Sequence, residues 1–359
     1  MANFHIKKAM VEEGLNINPM SRRILARVPH KSYENPSAEN LSGDMGKDTL
    51  HLLAYKGEFL KPCPGTKEYI CCGYQILNVA TNCPLDCSYC ILQSYFHHQP
   101  RLRIHVNVEE NLASILAVID QDTKQMVRVG TGEFADSLAL DPLTRWTDIL
   151  MPPFSQRKNA VLEFKTKTNH IEGLLASPYR DRIIVSWSLN SPLICATEER
   201  GSATLKQRLE AARRCQDEGF VVSFHFDPLI PHKGWREGYG KTIGLMERYL
   251  KPEGIIWISM GSLRFMPDLK SIIRKRHPGT IILDGEFITG LDGKARYFKP
   301  IRVELYEFMR EHLEKWHSDL GLYLCMESDE VWRKSMGWSP GNSEGLKDFL
   351  DERVERIFR

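Results

Sequence analysis

"AVLEFKTKTNHIEGLLASPYRDRIIVSWSLN", residues 160–190, reads as a strand ("AVLEFKTKT"), a short helix ("HIEGLLAS") and a second strand ("RIIVSWSLN"). Two strands joined by a helix run parallel when they share a sheet, because the helix carries the chain back to the starting edge. The same alternation extends in both directions. Upstream lie "YQILNVA" (74–80), "RIHVNV" (103–108) and "QMVRVGTGEF" (125–134) as strands. The helix "EENLASILAVIDQD" (109–122), with Leu112, Ile115, Leu116 and Ile119 on one face, and the helical "LTRWTDILMPPF" (143–154) separate them. Downstream the helix "ATLKQRLEAARRCQDEGF" ends at Gly219, followed by "VVSFHFDPLI", "GYGKTIGLMERYL", "GIIWISMGSLRF", "DLKSIIRKRHPG" and "TIILDGEF" as alternating strands and helices. At least six such units between residues 75 and about 285 predict an α/β fold, a partial (β/α)6 barrel of the TIM type. Residues 1–74 are expected to form an N-terminal extension of short helices ("VEEGLNINPMSRRILARVP") and loop ("NPSAENLSGDMGKD"), and 75–289 the barrel. Residues 290–359 are expected to form a C-terminal extension, a hairpin ("GLDGKARYFKP", with an Asp-Gly turn) followed by the helix "RVELYEFMREHLEKWH".

The 359 residues suffice for a substantial core, and 42% hydrophobic with 26% charged residues excludes fibrous and disordered classes. A formal net charge of +2 argues by itself for neither nucleic acid nor membrane. No apolar run approaches a membrane span, and "MANFHIKKAMVEEG" lacks the apolar core of a signal peptide, so a cytoplasmic protein with no membrane partner is expected. In a reducing compartment, clustered members of its nine cysteines are metal ligands or reactive thiols before they are disulfides.

Three of them, Cys83, Cys87 and Cys90, form a C-x3-C-x2-C loop in "TNCPLDCSYCILQSYF" (81–96). A structural zinc loop borrowing Cys63, Cys71 or Cys72 is one reading, but zinc knuckles come as paired C-x2-C and no second knuckle lies downstream. Three thiolates holding an iron–sulfur cluster, with one iron open to a substrate or cofactor, is the reading the spacing favours. Cys71 and Cys72 have only Cys63 for company along the chain, and the loop is not repeated, so no second cluster is expected.

The loop, with Tyr89 before its last cysteine and a strand before it, resembles the radical S-adenosylmethionine (SAM) superfamily. Within it, the order and spacing of "CSYCILQSYF", "RIHVNVEENL", "ADSLALDPLT", "EFKTKTNHIEGLL", "VSWSLNS", "RLEAARRCQDEGF", "PHKGWREGYG" and "LRFMPDLKSIIRKRHPGT" resemble the spore photoproduct lyase group. The resemblance implies a [4Fe–4S] cluster on Cys83, Cys87 and Cys90, whose open iron chelates the methionyl group of SAM. One electron then cleaves SAM to methionine and a 5′-deoxyadenosyl radical that abstracts hydrogen. It implies a reducing partner such as flavodoxin or ferredoxin. It also makes the turn Gly130, Thr131, Gly132 and Glu133, with Tyr89, Asp136, Lys167, Ser188 and Asn190, candidate contacts of SAM. In the lyase this chemistry opens a methylene-linked thymine dimer, so DNA is an implied substrate.

Two positions depart from the group's pattern. "GTGEFADS" has no cysteine where the lyase carries a hydrogen-donating one, and Ile91 follows Cys90 where the lyase has a tyrosine. Cys195 and Tyr95 are candidates to substitute, although a small buried residue is the plainer role for Cys195. Nucleic-acid contacts are expected from Arg264, from the run Arg274–His277, and from the hairpin residues Lys294, Arg296, Tyr297 and Lys299. For the run, the solvated last turn of a helix is the simpler account. His225 and Asp227 in "HFDP" sit at a strand end, where a hydrogen-bonded structural role competes with contact to SAM or substrate. Three functions remain open on these residues: a radical SAM enzyme acting on DNA photolesions, one acting on a peptide or small metabolite, and a non-catalytic zinc-loop protein that binds nucleic acid.

Overall fold

Every residue of Ile183–Ser188 is buried, as are all but one of Ala160–Thr166, which marks parallel strands covered on both faces. The computed structural model describes residues 6–33, 46–96 and 101–359, so most of the loop expected at 35–48 lies outside the described residues. In chain order the strands are β1 (Lys8–Glu12), β2 (His30–Tyr33), β3 (Thr49–Leu53), β4 (Leu60–Pro62), β5 (Gln75–Leu77), β6 (Ala80–Thr81) and β7 (Asp86–Cys87). Then come β8 (Leu102–His105), β9 (Val127–Gly130), β10 (Ala160–Thr166), β11 (Ile183–Ser188), β12 (Glu199–Arg200) and β13 (Val221–Leu229). The last are β14 (Ile255–Ser262), β15 (Arg264–Phe265), β16 (Phe287–Thr289), β17 (Ala295–Tyr297) and β18 (Leu322–Leu324).

The main sheet has the order β18-β14-β13-β11-β10-β9-β5-β4. All its pairs from β5 to β18 are parallel, and β4 is antiparallel to β5. The sheet curls into a partial barrel. An isolated antiparallel bridge, Ile70 to Glu327, with the Ile70 N–H donating to the Glu327 carbonyl at 2.9 Å, joins the regions of its first and last strands. The helix Leu205–Asp217 starts at a capping box. The Gln207 N–H donates to the Thr204 hydroxyl, and the Thr204 N–H donates to the Gln207 side chain. A large apolar core fills the space between sheet and helices. A second, smaller cluster (Leu85, Tyr89, Leu92, Ile194, Leu263, Phe265, Leu269, Ile273 and Tyr297 among its members) lies under the cysteine loop.

Several expectations need correction. "RIHVNV" does form a strand, but β8 joins β2-β1-β3-β8-β6, a second sheet built largely from the N-terminal segment. "TIILDGEF" supplies no barrel strand, and only Phe287 of it begins the β16–β17–β15 ribbon. The seventh parallel strand is instead β18, from the supposed C-terminal extension, while β4 comes from the supposed N-terminal one. Pairing therefore crosses both boundaries drawn at 74/75 and 289/290. Strands of three residues carry no readable period, and their sheet membership is decided by packing. Beyond the expected elements lie the helices Asp329–Met336 and Ser343–Ile357, capped by the side chains of Ser328 and Asn342.

The last of these helices is pinned to the barrel by Arg128 of β9, 2% exposed, whose Nε donates to Asp351 at 2.8 Å and whose terminal nitrogen donates to the Cys72 carbonyl. Arg128→Ala leaves the Asp351 carboxylate to Lys347 alone, at 2.6 Å, and is expected to lower the unfolding free energy by about 2 kcal/mol in urea titration. A double variant, Arg128→Met with Asp351→Leu, is expected to recover much of that loss.

Candidate active site

The cysteine loop leaves the sheet through Asn82, which has φ +72°, a left-handed conformation that Asn tolerates, and whose side chain accepts the Cys83 N–H at 2.9 Å. The β7 strand then pairs antiparallel with β12, placing Cys87 opposite Glu199. Gln93 donates to the carbonyls of Cys87 (3.2 Å) and Ser88 (2.8 Å). Arg276, from the helix Pro267–Arg276, donates to Gln93 (2.6 Å) and to Asp86 (2.8 Å). Tyr89 donates its hydroxyl to Glu199, which pairs with Arg208, and both charged side chains are essentially unexposed. Cys83, Cys87 and Cys90 all line one cavity of about 340 Å³ at the C-terminal ends of the barrel strands. Burial pushes the Cys83 thiol up to about 12 and the Cys87 thiol well above its ordinary value, so a bound cation is what would turn them into thiolate ligands. Among the described residues no three Cys, His, Asp or Glu side chains converge around a point that could hold a single metal ion. Three thiols opening on one cavity are the donor type that suits an iron–sulfur cluster.

Alternation along β10 aims Glu163, Lys165 and, just beyond the strand, Lys167 into the same cavity. Glu163 lies deepest and is 2% exposed. It accepts from His225 (2.7 Å), Tyr74 (2.6 Å), Ser223 (2.8 Å) and Ser186, while the other His225 ring nitrogen meets the Ser259 hydroxyl at 2.7 Å. Burial alone would raise the Glu163 carboxyl, but the His225 charge and the hydrogen bonds outweigh it and hold the group well below the usual carboxylate range. Lys165 pairs with Glu133, and Arg264 pairs with Asp227 through both carboxylate oxygens, at 3.2 and 3.1 Å. Lys167 stands 5.7 Å from the Tyr89 ring centroid and unpaired by any carboxylate among the described residues' ion pairs.

Comparison with known proteins sets this geometry in a family. The family model described as spore photoproduct lyase matches residues 68–315, more than half of the chain. The chain belongs to the spore photoproduct lyase family. The spore photoproduct lyase of Bacillus subtilis (strain 168) is 28% identical over 204 residues, 56% of this chain and 59% of that protein, so the match spans about three fifths of that relative. The lyase of Geobacillus sp. (strain Y412MC61) is 27% identical over 249 residues, 66% of this chain and 72% of its own length. A solved spore photoproduct lyase complexed with dinucleoside spore photoproduct superposes with a TM-score of 0.79 at 22% identity, covering 89% of this chain and 99% of that one. A substituted lyase with bound AdoMet and the same dinucleoside gives 0.79 at 21% identity, covering 90% and 99%. At these identities the superpositions speak to the fold.

In this member of the lyase family the expected SAM contacts divide. Tyr89, Gly132, Glu133, Asp136, Lys167 and Ser188 line the cavity, whereas Gly130, Thr131 and Asn190 do not. Gly130 is required by Tyr74, whose hydroxyl would sit 1.8 Å from an added Cβ. Thr131 donates to Ser137 at 2.7 Å, and Asn190 is committed to the Pro228 carbonyl, the Ser191 N–H and the Tyr239 hydroxyl. Asp136 is saturated by the N–H groups of Leu138, Ala139 and Lys167 and by Thr166. The expected nucleic-acid contacts mostly turn inward. Arg264 reaches the cavity with its charge met by Asp227. Arg296, 1% exposed, pairs with Asp292 at 2.7 Å, and Tyr297, 1% exposed, stacks on Phe287 beneath the cysteine loop. The hairpin tip is formed by Gly290–Lys294, where Leu291 is 78% exposed. Cys195 bonds the Asn190 carbonyl outside the cavity, while Ile91 and Tyr95 line it. Sequence reasoning passed over Glu163, Lys165 and Tyr74, although a carboxylate within the apolar "AVLEF" is the kind of interruption that marks an inward polar site.

Because Glu163 is held below its ordinary 4.5, its stabilising contribution is complete above that pH and is lost as pH falls toward the lowered folded value. Glu163→Gln is expected to cost about 3 kcal/mol at neutral pH and to flatten the acid limb of the stability curve below 4.5. Equal acid slopes for the two proteins in pH-dependent urea titrations would contradict this.

Proposed function

We propose that this chain is a radical SAM lyase acting on thymine photolesions in DNA, with Cys83, Cys87 and Cys90 as the only protein ligands of a [4Fe–4S] cluster. The observation that carries the proposal is the opening of all three loop thiols onto one cavity that Glu133, Lys165, Lys167 and Ser188 also line, in a member of this family. Once bound, the reduced cluster supplies the electron that cleaves SAM homolytically, and a flavodoxin- or ferredoxin-like reductant suits that need. The chain's own residues bind and orient. Lys167 offers a cation beside the loop for the SAM carboxylate, and Ser188 a hydroxyl at the end of β11 for the ribose. The turn residues Gly132 and Glu133 stand where the methionyl amine would lie, with Glu133 held in place by Lys165. The Arg276 clamp and the Tyr89–Glu199–Arg208 network hold the loop still, so the cluster and the SAM site keep a fixed separation.

For DNA the hairpin tip is the favoured contact. Leu291 is the most exposed large apolar side chain described, and an apolar wedge at a loop tip can fill the gap left when a base leaves the stack. Lys294, at the base of the same turn, lines the cavity and suits the lesion's phosphate. The position after Cys90 carries Ile91 and the second-strand turn carries no cysteine, so hydrogen return in this chain runs through other residues than in the relatives' pattern.

Reduced, reconstituted protein incubated with SAM and dinucleotide spore photoproduct is expected to release thymine. Accumulation of 5′-deoxyadenosine without thymine would sink the DNA reading while sparing the cofactor. Cys90→Ala is expected to lose cluster absorption and SAM cleavage while circular dichroism stays that of a folded barrel. Leu291→Asp is expected to weaken binding of lesion-containing duplex about tenfold in anisotropy titrations while leaving uncoupled SAM cleavage unchanged.

A further inference from the structure

Alternation along the cysteine loop gives it two faces. Cys83, Leu85, Cys87 and Tyr89 line the cavity, whereas Asp86 and Ser88 between them do not. The reverse face is built around Asp86. Lys47 donates to its carboxylate at 3.1 Å and Arg276 at 2.8 Å, and Arg200 is its cross-strand partner in the β7–β12 pair. One carboxylate is thus set among three cations, with His277 4.0 Å away. The neighbouring acids are drawn inside. Glu198, 2% exposed, accepts from Ser88, Thr280 and the Ile281 N–H, and Glu199 takes Tyr89 and Arg208. Arg200, Arg274 and Lys275 are exposed, and none of them has a carboxylate partner among the described residues' ion pairs. The helix dipole accounts for Arg274, Lys275 and Arg276 in one last turn. It does not account for Lys47 and Arg200, which reach the same carboxylate from two other segments.

We infer that this reverse face is the docking surface for an acidic one-electron carrier protein, an inference that rests on the radical SAM reading above. The carrier gives up one electron and is oxidised, the loop's cluster accepts it and is reduced, and no proton or group is transferred. Asp86 is one peptide bond from Cys87, and Arg276 is joined through Gln93 to the Cys87 carbonyl by hydrogen bonds of 2.6 and 3.2 Å. A carrier seated here is separated from the thiols by the thickness of one loop, while the cavity is left to SAM and substrate. Surplus positive charge is the feature that suits such a partner. Electron-transfer contacts are small and short-lived, so long-range attraction, more than buried apolar area, brings the partners together and orients them. DNA is also an anion, but a duplex laid on this face would hold its bases on the far side of the loop from the cavity.

The test compares the wild type with the triple variant Arg200→Ser/Arg274→Glu/Lys275→Glu, whose changes are all at exposed side chains. Labelled flavodoxin and ferredoxin, both acidic carriers, are titrated in parallel and followed by fluorescence anisotropy at low salt. At least one is expected to bind the wild type and to bind the variant about tenfold more weakly, with the wild-type affinity falling as salt is added. In reconstituted protein, SAM cleavage driven by that reduced carrier is expected to fall by a similar factor, while cleavage driven by dithionite stays equal in the two proteins. Binding of neither carrier, equal carrier affinities for the two proteins, or a loss that dithionite shares would overturn the docking surface. Weaker binding of lesion-containing duplex by the variant, with carrier affinity unchanged, would assign the face to DNA instead. Failure of the wild type to cleave SAM with dithionite would sink the radical SAM reading, and the carrier titration would still decide what this face binds. Should the triple variant not fold, the salt dependence of the wild type and the single variant Lys275→Glu carry the same comparison.

Discussion

The buried pair of Glu199 and Arg208 ties the active site to the fold. Arg208 spends its donors on Glu199, on the Ser188 and Ala203 carbonyls and on the Ser202 hydroxyl, and none of its surface reaches water. Glu199 in turn takes the Tyr89 hydroxyl, and its backbone pairs with Cys87. One guanidinium thus connects the end of β11, the start of the helix Leu205–Asp217 and the cysteine loop. Moving the loop would strand one buried charge or the other, at a cost of about 3–5 kcal/mol, which is a large part of a domain's whole stability. The loop's short, irregular backbone could not hold three thiols in a fixed arrangement by itself. The charge pair allows it to.

What could be read in the chain follows from the range of each signal. The alternation between residues 125 and 265 is local, so its central parallel strands and their helices were legible with near-correct ends. The C-x3-C-x2-C loop is local as well. The diversion of β8 to the second sheet, the recruitment of β18 and the placing of Cys325 and Cys63 on one cavity depend on contacts between distant segments, which leave no period in the sequence. Arg296 and Tyr297 show the same limit from the other side. A basic residue next to an aromatic in a hairpin has the composition of a nucleic-acid contact, yet Asp292, four residues earlier, draws the arginine inward and the loop's apolar floor takes the tyrosine.

The inward use of charge also accounts for the near-neutral balance of the chain. Arg128, Arg208, Arg264, Arg296 and Arg302 are each met by a carboxylate within the fold. Lys294 too is paired, with Asp292 at 3.2 Å, so recognition of nucleic acid here would lean on shape and a displaced base more than on a long basic track.

The seventh parallel strand has a further consequence, for the order in which the protein is built. Cys83–Cys90 leaves the ribosome more than two hundred residues before Leu322–Leu324, and β18 carries the residues that wall off one side of the cavity. Through most of synthesis the cysteine loop can therefore be in place while that side stays open, since segments fold roughly in the order they emerge. A bulky inorganic group can enter through such a gap more readily than through the finished mouth. Arrival of the last strand then closes that side of the cavity.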